Sequence, residues 1–154
     1  MPIITPLLSE FDHEMSLTRK VLSAVDWTRK DFKPHEKSMP LEVLATHLQD
    51  VTKWCKITVS QDEFNVEGEY APRSFSSTEE LLTVFDQDVK ECRPLLENLT
   101  DEQCKVTWSL KKEGEVMFSM SRIATLRSFV MNHMIHHRGQ LSVYLRLLDI
   151  PLTV

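Results

Sequence analysis

Glycine, cysteine and long apolar runs are scarce in this 154-residue chain, and each scarcity excludes something. With only 3 glycines and no dominance of β-branched residues, the composition favours helices. Cys55, Cys92 and Cys104 are an odd set without a CxxC spacing, so neither a disulfide framework nor a zinc knuckle is predicted. We expect each cysteine to be a small buried or half-buried residue, not a nucleophile, in a reduced, cytoplasmic protein.

The chain also lacks the features of membrane and nucleic-acid proteins. No stretch approaches the roughly 18 apolar residues that a membrane span needs, and the N-terminus lacks the basic start of a signal peptide. The net charge is −5 and no run of lysine or arginine occurs, which disfavours a phosphate-rich partner. The length predicts a single domain, residues 1–154. The charge and the absence of long apolar runs predict that it binds neither nucleic acid nor membrane.

Apolar residues at three- and four-residue steps predict four helices. Between the third and the fourth, the segment KVTWSLKKEGEVMFSM alternates on both sides of a Lys-Glu-Gly turn. This pattern predicts a small hairpin or an extended connection, whereas residues 62–74 look like a loop. The expected fold is therefore all-α, a four-helix bundle. The predicted helices cover about 5–25, 40–59, 78–99 and 121–149.

The stretch NHMIHHRGQL, residues 132–141, holds three of the six histidines. At about 100° per residue, His133 and His137 fall in the apolar stripe of the last predicted helix. They are four residues apart, so their side chains project side by side. His136 falls about 60° to one side, nearer the edge of the core. The apolar residues that form this stripe of the last predicted helix are Leu126, Val130, Leu141, Tyr144 and Leu148.

His47 also points inward, because it shares its face of the second predicted helix with apolar residues, whereas His13 and His35 are expected to face solvent. A single inward histidine is usually a core residue with a hydrogen bond. Several buried imidazoles are costly unless their nitrogens are paired, and a metal ion pairs with them directly. We therefore interpret His47, His133 and His137 as metal ligands, with a hydrogen-bonded histidine core as the alternative.

Three histidine ligands without a fourth leave a coordination position open, as catalytic zinc sites do and structural ones do not. A metal ion in such a site lowers the pKa of a bound water or thiol. The residues after His133 contain no glutamate in the HExxH position, which disfavours a thermolysin-like peptidase.

Four residues near these histidines have candidate roles. Gln49 and Asp50 come just after the histidine of the second helix and are candidates to orient it, although such residues usually face water. Gln140 and Tyr144 share the histidine-bearing face of the last helix and are candidates to touch a substrate. Asp50, Gln140 and Tyr144 are thus the candidate catalytic residues. Gly139 lowers helix stability by about 1 kcal/mol, which another backbone passing close by would explain.

Three segments resemble, in order, the DinB-like (DNA-damage-inducible) family of four-helix metalloproteins. KSMPLEVLATHLQD resembles the start of the second helix of the family, with its inward histidine. LENLTDEQC resembles the break after the third helix, and NHMIHHRGQLSVYLRLLDIP resembles the last helix, which typically reads H-x-x-x-H-R-G-Q-L. On this resemblance the three metal ligands of the family fall on His47, His133 and His137, and His136 is not a ligand.

The resemblance also implies an up-down-down-up bundle, commonly a homodimer, that holds a divalent metal ion such as nickel or zinc. Relatives with known chemistry are thiol S-transferases that use bacillithiol or mycothiol, together with a maleylpyruvate isomerase and hydrolases. The leading hypothesis is a metal-dependent thiol S-transferase or hydrolase that acts on a small molecule, with a low-molecular-weight thiol as the possible cosubstrate. The alternatives are a non-catalytic metal- or ligand-binding stress-response protein and a helical interaction module.

Overall fold

The computed structural model describes residues 1–67 and 73–152 and is mostly helical. Within these two ranges, none of the helices has the length and apolar character that crossing a membrane requires. The α-helices of the structure are α1 (Ile4–Ser23), α2 (Leu41–Ser60), α3 (Thr78–Glu97), α4 (Asp101–Lys105), α5 (Arg122–Thr125) and α6 (Asn132–Leu147). A six-residue π-helical segment, Leu126–Met131, joins α5 to α6, so the predicted last helix is one helical stretch with an altered turn.

Buried apolar stripes and side-chain caps explain where the helices form. Phe11 and Leu22 of α1 are 1% and 0% exposed, as the three- and four-residue spacing predicts. Ser77 precedes α3 and its hydroxyl accepts a hydrogen bond from the backbone N–H of Glu80. Thr100 and Gln103 form a reciprocal capping box at α4. Such caps satisfy backbone donors that have no partner within the first helical turn.

The long helices run in the predicted directions. α1 is antiparallel to α3 and parallel to α6, while α2 is antiparallel to α6, which gives the order up, down, down, up. α3 and α6 each pack against both α1 and α2. Each of them therefore lies between α1 and α2. The contacts that set these directions are Asp12–Arg93 and Arg19–Asp86 for α1 with α3, Glu10–Arg127 and Glu14–Arg138 for α1 with the last helical stretch, and Met39–Tyr144 and Thr58–Arg122 for α2 with that stretch.

A three-stranded sheet accompanies the helices, so the fold is mostly helical, as predicted, but not strictly all-α. The predicted hairpin is confirmed as antiparallel β2 (Thr107–Lys112) and β3 (Glu115–Ser121). Its turn holds Gly114 at a φ of +78°, a conformation that glycine adopts without strain. β1 (Glu63–Asn65) pairs parallel with β2, so the loop prediction for residues 62–74 is wrong there, and residues 68–72 lie outside the described ranges. A parallel partner 46 residues further along the chain leaves no local sequence signal.

Cys55 of α2 and Cys92 of α3 form a disulfide, which corrects the prediction that the cysteines are unpaired. Their Cα atoms are 6.6 Å apart because α2 and α3 lie side by side and both residues face inward. The spacing along the chain carries no sign of this contact. Burial is confirmed for all three cysteines: Cys55 is 1% exposed and Cys92 and Cys104 are 0% exposed.

Gly139 gives a first prediction, because a Cβ added there meets nothing within 4 Å. The close backbone expected from the sequence is thus absent among the described residues. We expect Gly139→Ala to raise the free energy of unfolding by about 0.8–1 kcal/mol, the difference in helix propensity. Urea denaturation measures this change. The matched control is Gly114→Ala, which we expect to be destabilising because of the positive φ at Gly114. A loss of stability in Gly139→Ala would mean that this face is covered in solution.

Candidate metal centre

The three predicted ligands come together at one point between α2 and α6. The Nε2 atom of His47 lies 3.1 Å from Nε2 of His133 and 3.1 Å from Nε2 of His137. The donor atoms of all three lie within 4.8 Å of one another, and among the described residues no other group of three or more histidine, cysteine or carboxylate side chains does so. Since His133 and His137 are one turn apart on α6, a single helix face presents both to α2.

These distances match the edge of a coordination polyhedron. Two imidazole nitrogens bound about 2.0–2.1 Å from one tetrahedral ion are themselves separated by about 3.3 Å. The observed 3.1 Å between His47 and each partner is close to this value. Three imidazoles with this spacing could therefore hold one divalent ion without large movement of the helices.

Hydrogen bonds on the outer side of the rings direct lone pairs toward this point. Nδ1 of His137 lies 2.8 Å from the amide oxygen of Gln140. That oxygen only accepts hydrogen bonds, so Nδ1 of His137 carries the ring proton and its Nε2 has a free lone pair. His133 is likewise hydrogen-bonded to the backbone of Phe129. Nε2 of His47 carries at most one proton in the neutral ring, which cannot satisfy two facing lone pairs. A bound cation can satisfy all three nitrogens.

Burial keeps the cluster in the neutral state that binds metals. It lowers the pKa of His133 to about 4, with smaller contributions from the neighbouring charges of His137 and His47. Burial also lowers the pKa of His47, assisted by His137, and that of His137, which the hydrogen bond to Gln140 partly restores. Neutral imidazole is the form that coordinates metal ions. At neutral pH the three rings therefore need no deprotonation before binding.

The lowered pKa of His133 gives a second prediction, for the metal-free protein. Between pH 6.5, the ordinary pKa of histidine, and about 4, the unfolded chain binds a proton at this residue that the folded protein does not. Protonation therefore favours unfolding. We expect the free energy of unfolding to fall as the pH is lowered through this window, by up to about 1.4 kcal/mol per pH unit for this residue.

Denaturation of chelator-treated protein at pH 7, 6 and 5 measures this dependence. His133→Gln removes the titrating ring and is expected to flatten the profile. His13→Gln, at an exposed position on α1, serves as the control and is expected to keep the wild-type slope. Equal slopes in the wild type and in His133→Gln would contradict the prediction.

A cavity of about 490 Å³ opens beside His47 and His133. Ligand pockets in proteins usually have volumes of about 300–1,000 Å³. α2 contributes one wall of the cavity, including the ring of Trp54, and aromatic side chains such as Phe129 line much of the rest. The sequence reasoning missed these aromatic residues, although Phe129 stands one turn before His133 and so lies on the same helix face. A ligand in this cavity would lie against the histidine cluster.

The three candidate catalytic residues differ in position. Asp50 is 1% exposed and lines the cavity, so the expectation that it faces water is wrong, as it is for Gln49 at 0%. Gln140 is exposed and bonded to His137, which makes it a residue that orients a histidine. The hydroxyl of Tyr144 donates to the carbonyl of Met39 and its side chain does not line this cavity. Asp50 is the one of the three that lines this cavity, whereas Gln140 and Tyr144 line a second cavity of about 410 Å³.

The remaining histidines lie where the helical geometry predicts. His136 is exposed at the edge of the cluster, with its ring centroid 5.0 Å from that of His137. His13 on α1 and His35 in the connection before α2 are exposed. None of the three belongs to the converging set.

Fold and site together define a helical-bundle protein with a three-histidine cluster at the edge of a cavity. The chain belongs to the DinB family, whose sequence profile matches residues 4–149. It is similar in structure to a DinB-like protein from Bacillus subtilis, with 22% identity, coverage of 97% of both chains and a TM-score of 0.73. A DinB-like protein from Bacillus cereus ATCC 10987 has 19% identity, coverage of 96% of this chain and 93% of the other, and a TM-score of 0.73. No curated protein matches the chain.

Proposed function

We propose that His47, His133 and His137 hold one divalent metal ion, nickel or zinc. The observation that carries this proposal is the convergence of three Nε2 atoms, with 3.1 Å from His47 to each partner. Nitrogen ligands of this kind suit zinc, copper and nickel. The hydrogen bond from His137 to Gln140 supports it further, because metal-binding histidines usually donate their other N–H to an oxygen.

The ligand set favours a reactive site over a purely structural one. Among the described residues the group contains three side chains and no fourth, whereas structural zinc sites are usually closed by four. Two of the three histidines, His47 and His133, line the cavity. When bound, the ion would act as a Lewis acid that favours the deprotonated form of a thiol or water in the open position.

We assign the protein a metal-dependent thiol S-transferase or hydrolase activity on a small molecule. In this assignment the cavity binds the electrophilic substrate and holds it against the open side of the cluster. In the same assignment Asp50 accepts a proton from the thiol or water, a role supported by its place in the cavity lining on the same helix as His47. The family resemblance supports a low-molecular-weight thiol as the cosubstrate.

Metal analysis of protein purified without an affinity tag tests the metal site. We expect about one nickel or zinc per chain in the wild type and less than about 0.1 in the variant with all three histidines changed to alanine. Circular dichroism of that variant checks that it remains helical. An equal metal content in the two proteins would exclude the site.

Turnover separates an enzyme from a non-catalytic binding protein. The metal-loaded protein is mixed with bacillithiol or glutathione and 1-chloro-2,4-dinitrobenzene, which forms a carbon–sulfur bond and releases chloride and a proton. We expect a rate above that of thiol plus free metal, and its loss in the triple alanine variant. Ester substrates test the hydrolase assignment in the same way. A loaded protein without turnover on thiol or ester panels would instead be a metal- or ligand-binding protein.

Gln140 gives a third prediction, since its side chain holds the tautomer and orientation of His137. Replacing residues that orient metal ligands typically costs about 10–100-fold in affinity. Because Gln140 is exposed and water can take its place, we expect Gln140→Ala to weaken zinc binding by about tenfold. Competition with a chromophoric chelator measures this, and Gln140→Glu, which keeps an acceptor oxygen, is expected to restore the affinity. Unchanged affinity in Gln140→Ala would show that the hydrogen bond has no role in binding.

A further inference from the structure

The walls of the cavity beside the histidine cluster are largely aromatic. Trp27, Phe75 and Phe129 are half-buried and line it, and Trp54 is 7% exposed behind them. Half-buried aromatic rings that face a cavity offer flat apolar surface to a ligand. The cavity therefore suits a molecule with a planar, apolar body.

This aromatic wall is continuous with the histidine cluster. The rings of Trp54 and Phe129 meet edge to face, with centroids 5.2 Å apart. The Phe129 ring in turn lies 5.9 Å from the ring of His133. A flat ligand packed on Phe129 would therefore place one end at the cluster.

The charged groups of the cavity are mostly negative. The carboxylates of Glu42 and Asp50 flank His47 on α2, and both line the cavity. Lys30 pairs with Glu42 at 3.7 Å, but both side chains are well exposed to solvent, which weakens the pair. Among the described lining residues the single lysine or arginine is Arg73, and its guanidinium is paired with Asp88, which is buried.

We infer that this cavity binds a small molecule with an aromatic body that is neutral or positively charged, and that it discriminates against aromatic anions. Two carboxylates on one wall of the cavity repel a negative ligand, and solvent screens the buried one, Asp50, least. The inference rests on the proposed function in treating the cavity as the substrate side of the metal site. It specifies an aromatic body for the substrate of that site, and the charge preference is that of the metal-free cavity, in which no bound cation offsets the two carboxylates.

Three probes that share one ring system test the inference in the metal-free protein. 2-Naphthalenemethanol is neutral, 2-naphthylmethylamine is cationic and 2-naphthoate is anionic at pH 7. Their dissociation constants are measured by ligand-dependent NMR shifts of the labelled protein. We expect 2-naphthoate to bind at least about tenfold more weakly than the other two, which corresponds to about 1.4 kcal/mol. Equal or tighter binding of 2-naphthoate would overturn the inference.

Variants locate the binding and test its electrostatic cause. Thr46→Trp fills the cavity, and Val43→Trp fills it from its exposed rim. We expect each variant to raise the dissociation constant of 2-naphthalenemethanol at least tenfold. Thr46→Val preserves the volume and is expected to retain wild-type binding. In the double variant Glu42→Gln with Asp50→Asn, 2-naphthoate is expected to bind less than threefold more weakly than 2-naphthalenemethanol. If the double variant fails to fold, Glu42→Gln alone is expected to reduce the difference between the two probes in part. Undiminished binding in both tryptophan variants, or unchanged discrimination, would overturn the inference.

Because these titrations use metal-free protein, their outcome is separate from that of the metal analysis. If the protein binds no metal but shows the expected order of probes, the proposed function fails and the cavity assignment stands. If it binds metal but prefers 2-naphthoate in the metal-free state, the metal site stands and the substrate class is wrong. A protein that binds none of the probes also excludes the inference.

Discussion

Replacing His133 with alanine is expected to weaken zinc binding by about a hundredfold to a thousandfold. Zinc sites built from four protein ligands have apparent binding free energies of about 10–16 kcal/mol, so one ligand contributes about 2.5–4 kcal/mol. His133 holds its Nε2 3.1 Å from that of His47, and no fourth protein ligand among the described residues is placed to compensate. Competition with a chelating dye at pH 7 measures the affinity.

His136 is the matched control for this prediction. It has the same side chain and lies on the same helix, next to His137, but its nitrogens do not converge with those of the three ligands. Because it is exposed and outside the converging set, we expect His136→Ala to change zinc affinity less than threefold. Equal losses in the two variants would show that surface histidines bind the ion and that the converging nitrogens do not.

The convergence of His47, His133 and His137 could be predicted because it depends on local helix geometry. His133 and His137 lie within the regular part of α6, so their one-turn spacing is unaffected by the π-helical segment that ends at Met131. His47 needed one further assumption, that α2 faces α6. A buried stripe on each helix made that pairing expected.

Contacts that depend on the packing of distant segments could not be predicted. The disulfide between Cys55 and Cys92 and the buried side chain of Asp88 both follow from the position of α3 beside α2. Asp88 carried a signal that the sequence reasoning overlooked, because it lies on the apolar stripe of α3 between Phe85 and Cys92. An acidic residue in such a stripe indicates a buried polar partner, and Gln49 donates to it at 2.9 Å.

The candidate roles of Tyr144 and Gln140 show why sharing a helix face does not establish a role. Both residues were correctly placed on the histidine-bearing side of the last helix. Tyr144 donates to the backbone of Met39, at the start of the opposing helix, and Gln140 bonds the ring of His137. Which of several possible partners a polar side chain meets depends on distances of a few ångströms between helices, and hydrophobic periodicity carries no such information.

Arg122 is expected to contribute about 3–5 kcal/mol to stability, because its loss leaves three backbone carbonyls without this donor, whereas its carboxylate partner Asp62 is 71% exposed and adds little. Arg122 is 4% exposed, and its guanidinium donates to the backbone carbonyls of Thr58 and Gln103 at 2.9 Å and of Gln61 at 3.2 Å, and to the carboxylate of Asp62. The carbonyls at the end of a helix have no partner within it. Arg122 therefore ties the end of α2 and the end of α4 to the start of α5.

Arg122→Met keeps most of the side-chain volume and removes all of these donors, so it isolates the hydrogen bonds from the packing. Each buried carbonyl left without a donor costs about 1–3 kcal/mol. Urea denaturation of the disulfide-intact protein measures the loss. Arg19→Met is the control, because Arg19 makes two hydrogen bonds to Asp86, at 2.7 and 2.8 Å, but both side chains are about half exposed. Surface pairs of this kind contribute about 0–1 kcal/mol. Similar losses of unfolding free energy in the two variants would contradict the role of burial. A loss below about 1 kcal/mol in Arg122→Met would show that water replaces the guanidinium at these carbonyls.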